Sequence, residues 1–180
     1  MFTKTDDVLI AQAIKGDKRA WLKLIKRYES AMYNYALRMT GNPDDGKDLM
    51  QEIFISVYRN LSTFRNEGSF KSWIFRIAHF RCIEFYRRKK PNQSLDDCEE
   101  LESHTDGPEQ RFASVQSNNR LVEAMQTLPM NQKAVIELKF FGQFTFDEIA
   151  EQLAISSNTA KSRLYSALSS LKVVMEEEHA

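Results

Sequence analysis

Cysteine and histidine are scarce in this chain, and the few present are poorly placed for chemistry. There are two cysteines and three histidines. Cys82 and Cys98 form no Cys-x-x-Cys pair and fall in a predicted helix and in an acidic stretch. His79 and Cys82 share a helical face, but two ligands do not make a metal site. His79, His104 and His179 are scattered through a helix, a linker and a tail, so no hydrolytic constellation forms. The glycine-containing loop Asn66-Glu-Gly-Ser lacks the spacing of a phosphate cradle. No enzyme, no metal and no cofactor is expected. The start, Met1-Phe-Thr-Lys-Thr-Asp-Asp, has no apolar core of a secretory signal, and no apolar run reaches the length of a membrane span. A reduced, cytoplasmic protein with incidental thiols and no direct membrane insertion is the expectation.

Net charge is also absent, but only in total: 25 Lys and Arg balance 25 Asp and Glu. Residues 1–90 carry 18 basic against 10 acidic side chains, residues 91–118 carry one against seven, and residues 119–180 six against eight. The neutral sum conceals a basic first half and an acidic middle. A basic face is the electrostatic footprint of phosphate binding.

What is present is helix. No period-2 alternation persists long enough for a strand. Helices are predicted over 7–15 and 18–39, the second stopped by Gly41. Asn42-Pro43 then supplies a cap and a first-turn proline. A third helix carries Leu49, Ile53, Phe54, Val57, Tyr58 and Leu61. The polar loop Arg65-Asn-Glu-Gly-Ser69 separates it from a fourth over 70–88. After Pro91 the composition becomes that of a linker. Helix resumes near Phe112 and again over 130–141. The fold class is all-α: two small helical domains, 1–90 and 112–180, joined by a flexible acidic linker, 91–111.

Two segments point to nucleic acid. In the second domain, Thr145 and Glu148 have capping-box spacing, and Phe146, Ile149, Ala150 and Leu153 form one apolar face. A break at Ala154-Ile-Ser leads to Ser156 as the next cap, then to Leu164, Ala167, Leu168 and Leu171. This is helix-turn-helix spacing, and it places Ser157, Asn158, Thr159, Lys161, Ser162 and Arg163 near the start of a recognition helix. An αα-hairpin with a solvated polar face has the same pattern. In the first domain, Phe64, Phe70, Trp73, Phe75, Phe80, Phe85 and Tyr86 interleave with Lys71, Arg76, Arg81 and Arg87 to Lys90. Rings beside cations hold unpaired bases, although many of these rings also suit a helical core.

Taken together, these residues resemble the extracytoplasmic-function sigma factors of bacteria. The likeness runs nearly the whole chain. Asp48-Leu-Met-Gln-Glu-Ile-Phe54 is similar to the family's helix for the clamp helices of the polymerase β′ subunit. Phe64 to Ala78 is similar to the segment that melts and reads the −10 element. Leu128-Pro129, Thr145 to Ala150 and Thr159 to Arg163 are similar to the domain for the −35 element. The resemblance implies that Asp48, Gln51, Glu52, Ile53 and Tyr58 contact core polymerase. It implies that Phe64, Asn66, Ser69, Phe70, Lys71, Trp73, Arg76 and Arg81 hold the melted −10 strand. Ser157 to Thr159 and Lys161 to Arg163 would read the −35 element. The implied partners are core RNA polymerase (β′ clamp helices and β flap), promoter DNA, and an anti-sigma factor or Ser/Thr protein kinase as regulator.

The chain departs from the family at several positions. Lys47 stands where an acid is usual, and Leu61-Ser-Thr-Phe64 replaces a leucine-aspartate step. Asn66 and Asn158 replace common glycines, and Ala160 a common valine. The surface facing a basic clamp is therefore short of negative charge. Thr63, or secondarily Ser62, is an expected phosphorylation site, since a phosphate adds about −1.5 to −2 charge. The rival readings are a helix-turn-helix regulator that binds operator DNA without acting as a sigma subunit, and a helical adaptor that binds only proteins.

Overall fold

The computed structural model describes residues 3–91 and 113–177. Cys98, His104, His179 and the predicted acidic linker from residue 92 onward lie outside the described residues. The first domain consists of α1 (Asp6–Ile14), α2 (Lys18–Thr40), α3 (Pro43–Asn60), a 3₁₀ turn (Leu61–Thr63) and α4 (Phe70–Lys89). The second consists of α5 (Ala113–Gln126), α6 (Met130–Ile136), a π-helical turn (Glu137–Phe141), α7 (Phe146–Leu153) and α8 (Ser157–Glu177). No strand occurs among the described residues.

Local chemistry sets most helix starts. The Asp17 carboxylate accepts from the Arg19 and Ala20 amides at 2.9 and 3.2 Å and opens α2. Asn42 does the same for Asp44 and Asp45 at 2.8 and 3.2 Å, with Pro43 in the first turn of α3. Ser69 accepts from the Ser72 amide at 3.1 Å and starts α4. Each cap satisfies an amide that the helix itself leaves unpaired. Gly46 lets α3 lie close against α2, because a Cβ there would stand 3.3 Å from the Leu37 backbone.

The first core packs Leu24, Met32, Tyr35 and Met39 of α2 against Leu49, Ile53 and Val57 of α3 and Ile74 and Ala78 of α4. The aspartate at the start of α1 receives Arg27 at 2.5 Å and the Tyr28 hydroxyl, which ties α1 to α2. The second core gathers Met125, Leu128, Ile149, Ala160, Leu164 and Ala167. Leu168, predicted to share that face, is 37% exposed instead. The buried spacing is 164, 167, 171, and position 168 turns about 100° away from 167.

The two cores are continuous. The Phe75 ring of α4 meets Phe144 of the second domain edge-on at 5.5 Å, within one cluster of buried side chains. The two helical domains expected from the sequence also pack on one another.

Ile53 is fully buried, so it holds α3 in place and offers no atom to a partner. The exposed apolar residue of α3 is Ile55, at 51%. Ile53→Ala is expected to lower unfolding free energy by about 2–5 kcal/mol, whereas Ile55→Ala stays within about 0.5 kcal/mol. Urea denaturation of both variants checks this.

Candidate nucleic-acid interfaces

In the first domain the loop 64–69 is bent by two residues with positive φ, Asn66 at 59° and Gly68 at 116°. Behind it stands an aromatic wall. Phe64 lies 5.6 Å from Phe70 and 5.3 Å from Trp73, and Phe70 lies 5.2 Å from Tyr28. Phe70 is only 4% exposed, so it supports the other rings from inside and cannot itself face a strand. Phe64 and Trp73 are half-buried, with faces that a flipped base can stack on. They line a cleft of about 400 Å³ with Arg65, Ser69, Ser72 and Arg76.

Several predicted strand contacts are already engaged. The Lys71 ammonium lies 5.3 Å over the Phe144 ring of the second domain. Arg81 pairs with Glu84 at 2.7 Å. Arg88 reaches both carboxylate oxygens of Glu52 at 2.6 and 2.7 Å, and Lys89 reaches Asp45 at 2.5 Å. The basic end of α4 therefore sits against acids of α3. Glu52, expected to face polymerase, is held by Arg88.

Asp48, Gln51, Ile55 and Tyr58 form an exposed stripe at spacings of three and four along α3. The stripe ends in an apolar groove of about 910 Å³ between α1, α2 and α3, lined by Trp21, Leu22, Ile25, Phe54 and Tyr58. Leu22 and Tyr58 are 62% and 61% exposed. Sequence reasoning missed Leu22 and Ile55; their exposure becomes visible only when α2 and α3 are packed.

In the second domain the predicted helix-turn-helix forms. Thr145 accepts from the Glu148 amide at 3.2 Å, and the Glu148 carboxylate accepts from the Thr145 amide at 2.7 Å. The turn passes through Ala154, left-handed at φ 54°, and Ser156 accepts from the Thr159 amide at 3.0 Å. At the start of α8, Asn158, Lys161 and Ser162 are exposed, and Ser157, Thr159 and Arg163 half-buried. Ser157 donates to Asp147 at 2.5 Å, which braces α8 on α7. Arg163 turns toward the first domain, in a cleft of about 160 Å³ with His79, Ile83, Asn131 and Leu153.

A cluster absent from the sequence reading joins the domains. Arg38 donates to Glu137 through Nε at 2.5 Å and Nη2 at 3.0 Å, with the Glu137 side chain fully buried. The Arg38 guanidinium also lies 3.5 Å over the Phe141 ring. Lys133, 1% exposed, donates to Gln126 Oε1 at 2.7 Å and to the Met39 carbonyl at 3.3 Å. Gln126 donates to the Arg38 carbonyl at 2.7 Å. Gly41, left-handed at φ 73°, leaves room for that approach: a Cβ there would stand 2.6 Å from the Gln126 side chain. The available signal was a lysine and a glutamate four residues apart inside the apolar run Lys133-Ala-Val-Ile-Glu137.

Comparison with known proteins gives this geometry its class. Residues 24–91 match the family model for Sigma-70 region 2, and residues 118–171 that for Sigma-70, region 4. The chain is 32% identical over 173 residues to the ECF RNA polymerase sigma factor SigW of Bacillus subtilis, covering 91% of this chain and 92% of that one. Its fold is similar to CnrH, solved in complex with the cytosolic domain of CnrY. That likeness has a TM-score of 0.71 and 23% identity, covering 96% of this chain and 97% of that one. It is also similar to the sigma factor RpoE of Bartonella quintana, solved with the anti-sigma factor NepR. There the TM-score is 0.69 and the identity 20%, with 86% and 95% covered.

The matched regions are those of sigma factors, the subunits that direct RNA polymerase to promoters. The chain belongs to the ECF sigma factor family. Among the described residues no helix is long and apolar enough to cross a membrane, and no cluster of three or more His, Cys, Asp or Glu is disposed to hold a metal.

Two buried titratable groups lie at the domain seam and act in opposite directions. Burial pushes His79 down to about 4, so its contribution to stability is present above pH 6.5 and is lost as pH falls through 4. Burial pushes Glu137 up to about 7, against the pull of Arg38 and Lys133. Its contribution is present below pH 4.5 and is lost as pH rises through 7. The stability of the wild type relative to His79→Asn is therefore expected to rise with pH between 4 and 6.5. Denaturation midpoints of the two proteins across that range check the sign.

Proposed function

We propose that this chain is an alternative sigma factor whose first domain engages core polymerase and the melted −10 strand, and whose second domain reads the −35 element. The observation that carries this reading is the half-buried Phe64 and Trp73 pair in a cleft with Arg65 and Arg76, in a chain whose second domain presents a capped helix-turn-helix. A sigma subunit needs no catalytic residue, because polymerase performs the reaction. It needs surfaces. Asp48, Gln51 and Tyr58, extended by Ile55 and the neighbouring groove, meet the β′ clamp helices, with Glu52 recruited from Arg88. Phe64 and Trp73 stack on an unpaired base, with Arg65, Asn66 and Ser69 at the rim and Arg76 and Arg81 toward the phosphates. Asn158, Thr159, Lys161, Ser162 and Arg163 face the −35 major groove, while Ser157 positions them. The second domain also meets the β flap.

Control by phosphorylation at Thr63 is part of this reading. Thr63 is exposed at the end of the 3₁₀ turn, and its hydroxyl donates to the Asn60 carbonyl at 2.6 Å. A phosphate there would add negative charge and acceptors at the far end of α3 from Lys47, which stands where the family has an acid. A Ser/Thr kinase is then the activator. An anti-sigma protein covering the same faces is the other class of regulator.

Co-elution of the purified chain with bacterial core polymerase on gel filtration tests the central role. Binding is expected, weakened by Ile55→Glu or Tyr58→Ala and strengthened by phosphate on Thr63. No binding in either phosphorylation state would exclude the sigma reading. For the −35 contacts, Asn158→Ala is expected to cost about 1–3 kcal/mol and to relax preference at one position. Lys161→Ala should weaken all promoters alike. Competition among promoter variants in holoenzyme separates the two outcomes.

A further inference from the structure

We propose that a second copy of this chain docks on the free face of α8, the two helices lying antiparallel about a two-fold axis, so that the unbound protein forms a weak dimer. The contact itself stands apart from the sigma reading above; only its consequence, that the −35 contacts are covered, rests on it.

The starting point is Leu168, which belongs by type with the core and is turned out of it. It is not alone. At about 100° per residue, Tyr165, Leu168, Lys172 and Met175 fall along one line of α8. Tyr165 is 63% exposed and Met175 49%, and the Lys172 side chain is open to solvent as well. The buried side of the same helix, Ala160, Leu164, Ala167 and Leu171, follows the same alternation of four and three one residue earlier. Helix α8 therefore carries two rows with coiled-coil spacing. Its own domain fills one of them, and nothing among the described residues covers the other.

The charge on this second row selects its own copy as the occupant. The row begins at Lys161 and ends beside Glu176, basic at one end and acidic at the other. Laid antiparallel with the two-fold axis beside Ser170, Tyr165 of one copy meets Met175 of the other, a favourable contact of sulfur with an aromatic ring. Leu168 meets Lys172 of the second copy, whose aliphatic stem covers it while the ammonium stays in water. Lys161 then comes within reach of Glu176 of the second copy. Competing arrangements fare worse. Sliding one helix by a heptad sets Lys161 against Lys172, and a parallel pair sets each lysine against itself. Like charges opposed in this way specify register by repulsion.

The row from Tyr165 to Met175 is only about 15 Å long. That is short by the standard of stable interfaces, so the dimer forms and parts with concentration. Lys161, one of the proposed −35 contacts, lies on the row one turn before Tyr165. A second copy and duplex DNA therefore compete for the same end of α8.

The test is sedimentation equilibrium of the full chain, without polymerase or DNA, from micromolar to submillimolar concentration. The wild type is expected to move from one chain toward two across that range. Leu168→Lys places a lysine against Lys172 of the second copy, twice per dimer, and is expected to weaken association by about tenfold or more. Leu168→Glu places a carboxylate there instead and should keep or tighten it. Ser170→Lys, on the opposite side of the helix, should leave it unchanged. All three positions are exposed, so helicity by circular dichroism should hold throughout. A wild type that stays a single chain at every concentration would overturn the proposal and leave the row to some other occupant. A dimer indifferent to Leu168→Lys, or one that Leu168→Glu weakens equally, would overturn it too. None of these results bears on polymerase binding, so failure here and failure of the sigma reading are told apart.

Discussion

The arrangement of this molecule turns on one buried ion pair, Arg38 with Glu137. Its partners come from different domains and from positions 99 residues apart. Taking two charges out of water costs several kcal/mol per ion, and their attraction often does no more than offset that cost. Such a pair is a weak source of net stability and a strong source of specificity. With one partner removed, the other is left as an uncompensated buried charge. Lys133 and Gln126 then fix the register by meeting the carbonyls at the end of α2. The π-helical turn belongs to the same corner. It closes on an extended bond from the Gly142 amide to the Glu137 carbonyl at 2.8 Å, and it sets Phe141 beneath the guanidinium. Turns of this kind often mark functional positions in a helix.

The surfaces proposed for function divide between the domain seam and the far side of α3. The stripe on α3 and its apolar groove point away from the seam, whereas the stacking cleft and Arg163 point into it. A partner on the stripe therefore approaches along α3, and a strand entering the cleft meets Glu148 and Glu151 of α7 as well as Arg65 and Arg76. The two candidate surfaces are therefore separated by position. Cys82, buried in the first core with its thiol pushed up to about 12 by burial, plays no part in this division.

Much of the fold was legible in the residues because helix signals are local. Asp17, Asn42, Ser69, Thr145 and Ser156 each act on amides two or three positions away, so their meaning does not depend on the rest of the chain. The helix-turn-helix was legible for the same reason. What escaped was which partner covers each apolar face. Periodicity places Ile53 and Phe70 among apolar neighbours but does not say how deeply they lie, and both proved too buried to touch a partner. Ile55 and Leu22, read as ordinary apolar residues, proved exposed. The domain seam was least legible of all. Arg38, Gln126, Lys133 and Glu137 are unremarkable polar residues until two helices distant in sequence bring them together. Ala154 shows a smaller limit, since nothing in its side chain announces the left-handed turn it makes.

The most direct measurement is transcription by bacterial core polymerase on a library of promoter fragments, with and without the purified chain, plain and phosphorylated on Thr63. Initiation at a defined set of promoters only when the chain is present is the result expected. Initiation that is the same with and without the chain in both states would contradict the account.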